Sequence, residues 1–246
     1  MIITIILLTV VATSILSGIL GMAGGMVLMA VLASTLTIST AMILHGAVQM
    51  MANGSRAWFL RRYIRWSILP LYGLGAAVAV VAFALLALIP HPGLVLILVG
   101  AFPWLARYSK RLSGLDITQP TTSAIAGVAV TSAQLLAGAS GPLLDVFYLR
   151  AQLTREEIVA SKALTQALGH IIKIIYYGFI VGSLFATEAE LAAWFVLAAM
   201  ALAVLGTRIG TWILARWNDR DFQKVSQTII LTIATVCIAQ GVIMLI

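Results

Sequence analysis

Two sets of polar residues sit at helical spacing inside otherwise apolar sequence. His45, Gln49, Asn53 and Arg56 follow i, i+4, i+8, i+11 spacing, and so do Lys162, Gln166, His170 and Lys173. That spacing places each set on one face of a helix. Amide, imidazole, guanidinium and ammonium groups together supply hydrogen-bond donors and positive charge, the chemistry that holds a small anion. Imidazole can titrate near neutrality, which makes His45 and His170 candidates for proton coupling, with Asp145 as a third; satisfied hydrogen-bonding histidines are the equal alternative. Polar groups within a span are expensive and face a partner or a water-filled interior. Interhelical hydrogen bonding explains Gln49 and Gln166 equally well. Snorkelling at a helix end explains Arg56 and Lys162 equally well. Lys173 lies deeper, in the apolar run from Ile171 to Phe179, and is expected to bind substrate.

The two sets belong to a longer internal repeat. Gly21-Met22-Ala23-Gly24 returns as Gly138-Ala139-Ser140-Gly141, and the offsets 138−21, 141−24, 166−49, 170−53 and 173−56 all equal 117. His45 pairs with Lys162 and Leu36-Thr37 with Leu153-Thr154 at the same offset. A repeat with glycine-broken apolar segments at matching positions points to a transporter's binding site.

The elements that must position these residues are read from hydropathy. Hydrophobic residues make up 62% of the 246 residues and charged residues 9%, with mean hydropathy +1.08. A soluble domain carries about 25% charge, so the chain is expected to be an integral, multi-pass membrane protein without a soluble domain. The apolar start lacks a basic region and runs past any cleavage point, unlike a signal peptide. The single cysteine, Cys237, lies in an apolar segment and reads as a packing residue. The charge of +7 sits in short loops between apolar segments, which signals membrane orientation and not nucleic-acid binding.

Apolar segments run over 2–35, 39–60, 66–89, 92–106, 118–149, 157–182, 190–215 and 225–246. The first and fifth are too long for one crossing, since a span needs roughly 20 residues, and each holds a glycine cluster near its middle. Each reads as two short helices joined at a break, a re-entrant hairpin. If both hairpins dip and return, the loops with Arg56/Arg61/Arg62/Arg65, Arg107/Lys110/Arg111, Arg150/Arg155/Lys162 and Arg216/Arg220/Lys224 share the cytoplasmic side. Thirteen of the fifteen Lys and Arg residues then obey the positive-inside rule. Each half, 1–116 and 117–246, has one hairpin (2–35 or 118–149) plus three crossings. Three is odd, so the halves have opposite orientation: the expected fold is an all-α polytopic membrane protein with an inverted-topology repeat. Both hairpin tips are expected to line an interior site, because non-helical backbone at that depth is tolerated only there. At Gly24-Gly25 and Gly141-Pro142 a new helix begins, with free N–H groups and a positive dipole end. Packing of small residues between helices is the other reading of these glycines.

Asp145 is the only acid placed within an apolar segment, with Lys173 or Arg208 as expected partners. Arg208 lies between Gly206 and Gly210, and His91 reads as a loop residue. The chain contains no P-loop, no HExxH and no paired Cys/His pattern. No cofactor, metal, nucleotide motor, catalytic residue or enzyme activity is therefore expected.

The motifs resemble a known family. Gly18-Ile19-Leu20-Gly21-Met22-Ala23-Gly24-Gly25, its second copy Gly138-Ala139-Ser140-Gly141-Pro142, His45-Gly46-Ala47-Val48-Gln49, Asn53-Gly54-Ser55-Arg56 and the basic loop Arg61-Arg62-Tyr63-Ile64-Arg65-Trp66 are similar to the TauE/SafE sulfite exporters. Ala23 and Ser140 stand where that family is often glycine, and His170 where Asn is common, which bears on the substrate. The resemblance implies secondary transport of sulfur-containing anions: sulfite, thiosulfate, sulfonates or related organic anions. The expected substrate contacts are Gly21, Gly24, Gly25, Gly138, Ser140, Gly141, Gln49, Asn53, Gln166, His170 and Lys173, and the expected setting is the cell (inner) membrane. Proton-coupled alternating access is the expected mechanism. An uncoupled anion channel and a non-transport membrane subunit are the alternatives, and homo-oligomerisation is left open.

Overall fold

A computed structural model describes residues 2–20, 23–108, 115–181, 192–214, 216 and 219–246. Ten α-helices account for nearly all of them, and no strand occurs among the described residues. In chain order they are α1 (Ile2–Leu20), α2 (Ala23–Thr35), α3 (Ile38–Phe59), α4 (Leu69–Leu86) and α5 (Pro92–Tyr108). The second half follows with α6 (Pro120–Ala137), α7 (Gly141–Tyr148), α8 (Arg155–Ile175), α9 (Ala193–Leu214) and α10 (Asp219–Ile243). A π-helical turn, Tyr176–Ile180, continues α8.

Local sequence explains the ends. Proline stands in the first turn of α4, α6 and α7, where its missing N–H costs nothing. Thr154 and Glu157 cap α8 reciprocally: Thr154 N–H donates to Glu157 Oε2 at 2.9 Å and Glu157 N–H donates to Thr154 Oγ1 at 3.3 Å. His91 precedes α5, and its Nδ1 accepts from Gly93 N–H at 3.2 Å. The fifth apolar segment is divided into α6 and α7 at Gly138–Ser140, and the first is described as α1 and α2, which pack against each other, with residues 21–22 between them outside the described residues. Gly138 closes α6 at φ +72°, a left-handed conformation open to glycine. Pro142 then starts α7.

Three helix pairs are drawn together by glycines. A Cβ on Gly18 of α1 would stand 2.7 Å from Gly210 Cα of α9, and one on Gly206 would stand 2.7 Å from Ser14 Cβ. Gly75 of α4 meets the backbone of Ala124 on α6 and Gly127 of α6 that of Tyr72 on α4, while Gly93 of α5 and Gly241 of α10 meet each other's backbones. Close backbone approach of this kind is how helices associate in lipid, where no hydrophobic force separates helix from tail. The α3 and α8 helices pack antiparallel at the centre, with Gly46 against Ile174 and His170. The core around them holds Met26, Met29, Leu32, Met42, Tyr176, Tyr177 and Phe195, all buried.

The outside is apolar as well. Leu74, Val78, Val81 and Leu85 line an exposed stripe of α4, and Trp194, Leu197, Leu205 and Trp212 one of α9. Contiguous surface of that kind is rare on a soluble monomer and suits contact with lipid. Three helical stretches among the described residues, Trp66–Leu86, Arg155–Ile180 and Ala193–Ile213, are long and apolar enough to cross a membrane. The α3 helix is long enough, but its polar stripe lowers its hydropathy.

A polar cavity between the two helix breaks

The breaks and the stripes meet at one place. A cavity of about 150 Å³ is lined by Gly25 and Met26 from the first turn of α2 and by Ala139, Ser140, Gly141 and Pro142 where α6 gives way to α7. The stripes of α3 and α8 supply His45, Gln49, Asn53, Arg56, Lys162, Gln166 and His170. Because α3 and α8 run antiparallel, His45 and His170 share the deep end, with ring centroids 5.4 Å apart. Arg56 and Lys162 share the other end. Burial follows the same axis: His45 and His170 are 1% and 2% exposed, whereas the side chains of Lys162 and Asp145 are 24% and 31% exposed. The cavity therefore opens toward Arg56 and Lys162.

Hydrogen bonds set the deep end. His45 Nε2 lies 2.9 Å from Gly25 O. A carbonyl only accepts, so Nε2 carries the proton and Nδ1 is the acceptor. That Nδ1 lies 2.8 Å from Lys173 Nζ, and Lys173 Nζ donates to Gly138 O at 2.8 Å. On the other wall, Gln134 Nε2 reaches His170 Nδ1 at 2.7 Å and Gly138 O at 3.3 Å, while Gln134 Oε1 accepts from Ser140 Oγ at 2.6 Å. His170 Nδ1 is thus an acceptor, and its Nε2–H is the donor left for the cavity. Gln166 Nε2 donates to Ser140 Oγ at 3.4 Å and Asn53 Nδ2 to Gln49 O at 3.0 Å. The side-chain Nε2 of Gln49 is buried and has no hydrogen-bond partner among the described residues. Arg56 spends one of its five N–H donors on Ser17 O at 3.3 Å.

The structure thus brings Gly25, Gln49, Asn53, Ser140, Gly141, Gln166 and His170 to the cavity wall. Gly24 is not on that wall: its Cα faces α1, where a Cβ would meet Ser17 Oγ. Gly138 is turned toward Met29 and Met42. Lys173 sits behind His45, outside the lining, and Gly21 lies outside the described residues. Asp145 pairs with Lys162 and not with Lys173 or Arg208, because Lys162 is about two turns into α8 and faces α7. Arg208 is exposed on α9. Gln134 escaped the sequence reading, although Ser17 stands 134−17 = 117 positions before it and its carbonyl holds Arg56. Among the described residues no cluster of three His, Cys, Asp or Glu side chains could hold a metal ion.

Helices with apolar outer faces around a polar interior fit an integral membrane protein. The chain belongs to the sulfite exporter TauE/SafE family, whose model matches residues 5–236. Membership implies a membrane exporter of sulfite or a related anion, a transporter and not an enzyme. No curated protein and no solved structure matches the chain.

Proposed function

We propose that this protein is a secondary transporter of small sulfur-containing anions such as sulfite, thiosulfate or a small sulfonate, working by proton-coupled alternating access in the plasma membrane. The observation that carries this reading is the single cavity into which both helix breaks and both polar stripes converge. Its free donors are those an oxyanion needs: the Gln49 amide, the His170 Nε2–H, the Arg56 guanidinium and the start of α7, whose dipole end is positive. The cavity of about 150 Å³ has room for several water molecules, which suits a compact anion.

The inverted-repeat reading, with halves 1–116 and 117–246, is supported by the helix pairs. Exchange of the halves turns the α1–α9 contact into the α6–α4 contact and leaves α3–α8 and α5–α10 unchanged. Two re-entrant hairpins and six crossings then put the basic loops in the cytoplasm, and the cavity faces the cytoplasm. Transport follows when one half rocks against the other and the deep end opens. The sealed deep end, closed by His45, Lys173 and the core behind them, favours a carrier over a channel.

The test is a binding screen of sulfite, thiosulfate, taurine, sulfoacetate and carboxylate analogues on purified protein, followed by flux in proteoliposomes. A carrier accumulates the bound anion against its gradient when a pH gradient is imposed. Flux that only ever runs downhill would assign a channel, and binding of none of the anions would sink the reading.

A further inference from the structure

We propose that Lys173 and His45 together form the proton-binding site of this carrier, sharing one excess proton that is held while an anion occupies the cavity. The inference rests on the anion-carrier reading and adds the place where the proton sits.

The geometry is a chain of hydrogen bonds from one helix break to the other. It runs Gly25 O, His45 Nε2–H, His45 Nδ1, Lys173 Nζ, Gly138 O, with links of 2.9, 2.8 and 2.8 Å. Gly25 belongs to the first half and Gly138 to the second, so the chain is also a strap between them. Lys173 makes two such contacts. A neutral amine has two N–H groups and satisfies both. An ammonium satisfies both and keeps a third N–H. The excess proton can also rest on His45 Nδ1, giving imidazolium and amine, without loss of the bond to Gly25 O or to Gly138 O. The chain is therefore complete with or without the extra proton, and what decides its charge is the surrounding electrostatics.

Those surroundings are short of negative charge. Lys173 is 0% exposed. The titratable and charged groups near it are His45 on α3, His170 on its own helix and Tyr176 and Tyr177 just beyond. The tyrosine hydroxyls donate to backbone, Tyr177 to Leu135 O at 2.6 Å and Tyr176 to Leu88 O at 3.0 Å. Helices α1 and α2 contain no ionisable side chain. On α7 the Asp145 carboxylate is taken by Lys162, and Arg56 stands at the far end of the cavity. A buried cation among neutral dipoles is costly, and an anion in the cavity is the missing counter-charge. It would meet the pair through the His45 ring, which lines the cavity while Lys173 does not. By linkage each then strengthens the other's binding: anion brings proton, proton brings anion. Anion and proton consequently cross together, in the same direction.

The experiment uses thiosulfate, which does not titrate near neutral pH, on the whole protein in weakly buffered detergent with a pH indicator. Wild type is expected to take up of the order of one proton per anion bound, and its affinity to weaken by up to about tenfold per unit as pH rises. Lys173→Gln is expected to bind with a flat pH profile and no uptake, and Lys173→Arg to bind without uptake because its proton never leaves. Binding without uptake in wild type would overturn the proposal while leaving the anion carrier standing. Unchanged uptake in a folded Lys173 variant would also overturn it, as would loss of binding in folded Lys173→Arg, which would make Lys173 a ligand. If neither variant folds, the wild-type stoichiometry decides. Absence of thiosulfate binding in wild type would remove the carrier reading and the proton site together.

Discussion

The carboxylate of Asp145 on α7 is paired with the ammonium of Lys162 on α8, at the open end of the cavity. Lys162 is thereby both a wall of the cavity and the partner of an acid beside it. An incoming anion competes with Asp145 for the same cation. The pair also explains why Lys173 has to find its partners among neutral groups.

Opposite effects are expected from the two members of that pair. Lys162→Gln removes a cation and leaves the carboxylate beside the anion, so thiosulfate affinity should fall at least about tenfold, or ~1.4 kcal/mol. Asp145→Asn removes the competitor, and affinity should rise by a similar factor of about ten. Calorimetric titration of both variants decides the matter. Equal weakening by both would show that the pair serves structure and not anion capture.

Gln49 should separate binding from stability. Its buried side-chain N–H groups lack a partner among the described residues, and an unsatisfied buried donor costs roughly 1–3 kcal/mol. Gln49→Leu is therefore expected to hold or raise the melting temperature of the ligand-free protein. The same substitution should weaken anion affinity by about 1.5 kcal/mol or more, a little over tenfold, since it deletes a hydrogen bond to a charged group. A drop in melting temperature without loss of affinity would place Gln49 in a structural bond.

Two glycines at the breaks are expected to fail in different ways. A Cβ on Gly25 would lie 3.3 Å from Gln49 Nε2, at the cavity wall. Gly25→Ala should then cost affinity and little stability. Gly138 has φ +72°, and a Cβ there would lie 2.8 Å from Met42 Sδ. Gly138→Ala should cost about 1–2 kcal/mol from the left-handed backbone alone, plus the displacement of Met29 and Met42. Thermal melting and anion titration on both variants check the contrast.

Topology can be read by cysteine labelling in a Cys237→Ser background. Thr187→Cys is expected to label from outside and Asn218→Cys only from the cytoplasm, with both termini outside. Both positions lie outside the described residues, so the result bears directly on the chain's course through the membrane. External labelling at Asn218→Cys would remove the inverted-repeat topology.

The sequence by itself determined the class of element and most of the cavity wall. Apolar runs in lipid must be helical because no water satisfies the backbone. Gly138 and Pro142 had to break the fifth apolar segment where α6 gives way to α7. Helical spacing put His45, Gln49, Asn53 and Arg56 on one face, and that face is the one that meets the cavity. Contacts between helices were not legible. Spacing within α8 assigns Lys162 and Lys173 to one stripe, about three turns apart, but only the antiparallel crossing of α3 and the position of α7 decide what each of them meets. One meets Asp145 and the other meets His45 and Gly138 O. Gln134 was invisible for the same reason: its partners Gly138, Ser140 and His170 lie across a break and on another helix. Periodicity fixes which face a residue takes, whereas only the packing of helices against one another decides what that face touches.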